Sequence, residues 1–165
     1  MSLTLPALDQ APLPASPAAG DVAKAKRFIR AMPLDARWIN YLRMGLPIKR
    51  IAKAHMKAEH EAHSVLINDV IDFRDTDVME SYQALMDSLE ALCNEFSNMF
   101  PTKDAGDYFE VPPEWQLTDH ERYYKALSDL SSASDQFLSH YDAFVNILNG
   151  NDLLTWTDCG SAPET

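Results

Sequence analysis

Between Val78 and Met99 the apolar residues Val78, Tyr82, Leu85, Leu89, Leu92, Phe96 and Met99 recur at alternating steps of four and three. That spacing marks one face of a helix; a half-buried strand would alternate every second residue. The same rhythm returns in Tyr123, Leu127, Leu130, Ser134, Phe137, Tyr141, Phe144 and Leu148. A looser stripe of threes and fours runs through Ile48, Ile51, His55, Ala58, Ala62, Leu66, Val70 and Phe73. Helices with one wide apolar face must bury it against one another. Three such helices of about 25 to 30 residues, joined by short or Pro-broken connections, predict an all-α fold, an antiparallel helical bundle.

Two short N-terminal helices precede the three long ones. Asp21 is placed to cap the first, which runs to about Met32 with Val22, Ala25, Ile29 and Met32 on one face. The second covers 34–44, presents Leu34, Trp38 and Leu42, and is stopped by Gly45. Pro47 then opens the first long helix, reaching about Phe73, and Thr76 or Asp77 starts the next. Pro101, Gly106 and the Pro112-Pro113 pair break the pattern over 101–117, where Tyr108 to Val111 is the one stretch with strand-like alternation. Thr118 and Glu121 have the spacing of a capping box for the last helix, which Gly150 ends.

A chain of 165 residues with 46% hydrophobic and 24% charged residues has the composition of one soluble domain. That domain is placed at 21–150, behind a disordered Pro- and Ala-rich lead (1–20) and ahead of a flexible tail (151–165). No apolar run approaches the roughly 20 residues that span a bilayer. The N-terminus lacks the basic and apolar regions of a signal peptide, which points to a cytoplasmic protein. Cys93 falls on the apolar face of its helix and Cys159 in the polar tail, so no disulfide framework is expected.

Charge divides the chain. Ten of its fourteen Lys and Arg residues lie between Lys24 and Lys57, where Asp35 is the only acid, while the rest of the domain, 58–150, is acidic. Fields of this kind steer encounters and select partners of opposite charge. On a helical wheel Lys49, Arg50, Lys53 and Lys57 form a ridge opposite the apolar stripe, flanked by Arg27, Arg30, Arg37 and Arg43 on the short helices. The ridge suits an acidic or amphipathic protein partner or a nucleic acid; pairing with the chain's own acids would quench it. Phe28, Trp38 and Tyr41 interleave the bases, as in a membrane-associating helix, but no long one-sided apolar face accompanies them within 24–57.

Within this region the run from Tyr41 through Gly45 and Pro47 to Ile51-Ala52-Lys53-Ala54 resembles the front of the helix-turn-helix of bacterial regulators. The resemblance extends over about 34–71 and implies a DNA-binding role. Two departures stand beside it. Met56 occupies the place of a customary glycine, and Glu59, Glu61 and Asp69 are expected to point outward, where they would repel phosphates.

His55, Glu59 and His63 recur every fourth residue along one helical strip and are candidate metal ligands for a bundle enzyme, although bundle metal sites draw ligands from several helices. Ile67 and Ile71 lie opposite the core stripe and need cover, either from the loop carrying Tyr108, Phe109, Val111 and Trp115 or from a second copy in a homo-oligomer. No Gly-rich phosphate loop or nucleophile elbow occurs, and no cofactor is expected. The expectation is a non-enzymatic adaptor or regulator that docks a partner protein through its basic N-terminal helices. DNA binding and a metal-dependent bundle enzyme are the alternatives.

Overall fold

The computed structural model describes residues 19–45, 47–103 and 106–154. Its elements run α1 (Ala19–Ala31), α2 (Arg37–Leu42), β1 (Arg50–Ala52), α3 (Lys53–Asn68), α4 (Thr76–Ser97), β2 (Phe100–Pro101), β3 (Tyr108–Glu110), α5 (Trp115–Thr118) and α6 (His120–Gly150). The molecule is mainly helical, as the periodicity requires, with a small sheet added. No helix among the described residues is long and apolar enough to cross a membrane.

The two cleanest repeats form the frame. All seven apolar positions from Val78 to Met99 are buried. Asp75 caps α4, its carboxylate accepting from the backbone N–H of Asp77 at 2.9 Å and of Val78 at 3.1 Å. In α6 Tyr123, Leu130, Ser134, Phe137, Tyr141, Phe144 and Leu148 are buried. Its cap is Asp119, which accepts from the Arg122 N–H at 3.2 Å. The expected Thr118 cap is not formed, because that hydroxyl donates back to the Glu114 carbonyl at 3.0 Å. Near the start of α4, Tyr82 packs its ring 5.5 Å from Phe144, near the end of α6. Toward the other end of α4, Glu95 feels the charges of Asp129 and Lys125, early in α6. The pair is therefore antiparallel.

Helix α1 lies across this frame through Phe28, whose ring stands edge-on to Phe144 at 4.8 Å and to Tyr82 at 6.3 Å. Trp38 of α2 stacks on Phe137 at 5.2 Å. Both rings are buried, so two of the three aromatic residues that interleave the bases in sequence belong to the core, and the third, Tyr41, is partly buried against it. Asp21 sits inside the first turn of α1 rather than capping it. Its buried carboxylate accepts the Arg74 N–H at 3.1 and 3.3 Å and pairs with Lys24 at 3.2 Å.

Expected boundaries move: the second short helix, expected over 34–44, is the shorter α2, and both ends of the first long helix and the start of the tail shift. The helix expected from Pro47 to about Phe73 is α3 alone, 16 residues long. At its start β1 pairs antiparallel with β3, Ile51 opposite Phe109, and β3 also pairs antiparallel with β2. The Val111 N–H to Lys49 carbonyl bond (3.1 Å) and the Lys53 N–H to Asp107 carbonyl bond (2.8 Å) extend the first ladder. This non-local pairing, which buries the β-branched Ile51, overrides the helical pattern of the segment. It also interrupts the helix-turn-helix geometry expected over 34–71, since β1 occupies part of the second helix. At the far end the chain leaves α3 at Asp69, whose backbone is extended. Val70 consequently stands 85% exposed, although the sequence stripe includes it in the core. The tail, expected to loosen after Gly150, is still anchored at Leu153, which is buried and donates its N–H to the Leu148 carbonyl at 2.9 Å. The remainder of the expected lead and tail, 1–18 and 155–165, lies outside the described residues.

Candidate functional site

Much of the basic segment is spoken for by the acidic half of the chain. Arg27 donates from Nε to Asp69 at 2.8 Å and from Nη2 to the Val70 carbonyl at 3.2 Å. Arg43 grips both carboxylate oxygens of Asp142 on α6, at 3.0 and 2.5 Å. Arg50 reaches Glu110 across the β1–β3 ladder at 3.3 Å and lies over the Tyr108 ring at 5.2 Å. Lys57 faces Glu61 one turn along α3 at 3.7 Å, and Lys24 bonds the Asp72 carbonyl. Among the described residues Arg30, Arg37, Lys49 and Lys53 have exposed side chains with no acidic partner.

Two of these unpaired bases share a groove. It lies between the α1–α2 corner and α3 and has a volume of about 480 Å³. Arg30 and Ala31 come from α1, Pro33 and Ala36 from the link, and Arg37 and Trp38 from α2. The opposite wall is α3, with Ala54, Ala58 and Ala62 at successive turns, His55 and Glu61 beside them and Val65 at the end. The alanines explain the trough: with only a methyl group each at i, i+4 and i+8, α3 leaves a gap that larger side chains would close. His55 stacks on Tyr41, ring centroids 5.3 Å apart, and the Tyr41 hydroxyl donates to the Arg50 carbonyl at 2.6 Å. One turn past Ala62, Val65 is 55% exposed. The result is a groove with an alanine-lined wall, bordered by Arg30, Arg37 and Glu61.

A different cluster sits where α3 meets α4. Glu59, expected to point outward, is completely buried. It lies on the Met56, Ala62 and Leu66 face of α3, the face turned inward once β1 has replaced the first turns of the expected helix. Apart from His60 and Cys93, neither of its carboxylate oxygens has a hydrogen-bond partner. The Nδ1 of His60 lies 2.6 Å from Oε2, but it bonds the Met56 carbonyl at 2.9 Å. A carbonyl only accepts, so a proton on Nδ1 stands between two acceptors, the Met56 carbonyl and Glu59 Oε2. Cys93 of α4 completes the group, and donor atoms of the three residues all lie within 4.8 Å of one another. Burial lifts the Glu59 carboxyl to about 7, partly offset by His60 and Cys93. Burial, followed by the Glu59 charge, pushes the Cys93 thiol up to about 11.

Of the expected metal strip the structure keeps only Glu59. His55 lines the groove instead, and neither it nor His63 is part of the cluster. His60 and Cys93, which the strip omits, take their places. Of the expected interface pair, Ile67 is 60% exposed, whereas Ile71 lies beyond α3 and is buried in the core. Comparisons of the chain with protein-family models, with curated proteins and with solved structures find no match.

Proposed function

We propose that the protein is a non-enzymatic docking module whose groove between the α1–α2 corner and α3 holds an acidic, amphipathic segment of a partner protein. The observation that carries this reading is the selective pairing of the basic segment. Arg27, Arg43 and Arg50 are held by Asp69, Asp142 and Glu110, whereas Arg30 and Arg37 stand unpaired over an alanine-floored trough. The paired arginines fix α1, α2 and β1 to the acidic half, and the unpaired two are left for a carboxylate from outside. The apolar face of the segment would rest on Ala54, Ala58 and Val65. Desolvating that face supplies affinity, and the arginines supply orientation and on-rate.

A titration with synthetic peptides tests the proposal. An acidic amphipathic helix, its charge-reversed counterpart and mixed duplex DNA are added separately to the full chain across a salt series. Binding of the acidic helix alone, lost in Arg30→Glu/Arg37→Glu and kept in Lys103→Glu/Lys125→Glu, supports the groove. The second pair removes equal charge from exposed bases elsewhere on the surface. Binding of DNA alone, with a log–log salt slope near the ~0.9 per phosphate of counterion release, points to a nucleic-acid regulator instead.

A further inference from the structure

We propose that Glu59, His60 and Cys93 form a zinc-binding site bridging α3 and α4. Two independent observations support it. The first is geometric: an imidazole, a thiol and a carboxyl from two helices place donor atoms within 4.8 Å of one another. Tetrahedral zinc, with bonds of roughly 2.0 to 2.3 Å to such donors, holds them somewhat closer, a distance that small side-chain rotations cover. The second is Glu59 itself, wholly buried, with the other two candidate ligands, His60 and Cys93, as the polar groups that face its oxygens. A buried carboxylate compensated by so few partners is costly and is seldom kept unless it has work to do. A cation seated between it and Cys93 removes that cost.

The donor set selects the metal. Thiolate with imidazole suits zinc and similar borderline ions, and a thiolate is a poor ligand for magnesium or calcium. Three protein ligands leave one coordination position open. The way in is beside His60, whose side chain is 40% exposed while Glu59 behind it is not exposed at all. On loading, the His60 ring gives up its bond to the Met56 carbonyl, the Nδ1 proton moves through solvent to Nε2, and Nδ1 donates its lone pair to the metal. Cys93 loses its thiol proton to solvent and binds as thiolate, and Glu59 binds as carboxylate. Zinc uptake therefore releases one proton from Cys93, plus whatever fraction Glu59 carries.

Cobalt(II) titration of the full chain carrying Cys159→Ser, which removes the second thiol, tests the site. The expected result is a thiolate-to-cobalt charge-transfer band saturating at one equivalent and displaced by zinc. Cys93→Ser should abolish the band, and Glu59→Gln and His60→Ala should each weaken binding at least about tenfold. Zinc should also raise the melting temperature of the Cys159→Ser chain and leave that of Cys159→Ser/Cys93→Ser unmoved. His60 is half-exposed, so His60→Ala tests the site even where a core variant fails to fold. Absence of the band and of the thermal shift in a Cys159→Ser chain with native circular dichroism overturns the proposal, as does a band that survives Cys93→Ser.

Discussion

Arg43 and Asp142, 99 residues apart in sequence, meet in a bidentate ion pair that ties the link after α2 to α6. Their pairing raises the Arg43 pKa and holds the Asp142 carboxyl below its usual value. The charge division seen in the sequence is thus used in part inside the molecule. Both side chains keep roughly half their exposure, 40% and 50%, so the pair is weak. A double-mutant cycle with Arg43→Met and Asp142→Asn should give a coupling of at most about 1 kcal/mol, falling with added salt. Because the folded carboxyl is depressed, its contribution is present above the unfolded pKa and disappears as pH falls through the folded one. Urea unfolding of the four proteins at neutral and acidic pH measures both effects.

The Glu59 carboxyl behaves in the opposite sense. Its folded pKa is raised to about 7 from 4.5, so the folded state holds a proton that the unfolded chain has already lost. Stability is then fully present below the unfolded value and declines as pH rises through about 7, by up to about 3 kcal/mol. In the presence of a chelator the wild-type chain should lose stability between pH 5 and 8, and Glu59→Gln should lose less and be the more stable at pH 8. Denaturant midpoints against pH decide this, and parallel curves for the two proteins contradict it.

Phe28 joins three aromatic rings, those of Tyr82, Tyr141 and Phe144, and is wholly buried. Phe28→Ala should cost about 3 to 5 kcal/mol, a large share of the stability of a domain this size. Phe28→Leu should cost less. Chemical unfolding monitored by circular dichroism reads the difference.

The frame was legible in the sequence because the repeats of α4 and α6 are local, and both face the core where the spacing puts them, with Leu127 only partly buried. The sheet was not. Arg50-Ile51-Ala52 reads as a helix until Tyr108-Phe109-Glu110 arrives from more than fifty residues away to pair with it. Treating 47–73 as one helix gives only part of the buried face: Ile48, Ile51, Ala62, Leu66 and Phe73 are buried as the stripe expects, but Glu59 lies inside and Val70 outside, and His55 does not join Glu59 as a ligand. The true face was present in the spacing of Met56, Glu59, Ala62 and Leu66, but a glutamate there argues against itself. Cys93, expected on its helix's apolar face, is only partly buried, and the packing of α3 on α4 is what brings it to Glu59 and His60. The bases of the proposed docking surface are visible in number, but which of them stay unpaired depends on partners as distant as Asp142.

The docking account is tested most directly by mapping where an acidic amphipathic peptide lands on the isotopically labelled full chain, using amide and indole chemical shifts. The account predicts perturbations at Arg30, Ala31, Arg37, Trp38, Ala58 and Val65, with little change along the exposed face of α6. Shifts centred on Lys49 and Lys53 or on α6, with the groove silent, would contradict it.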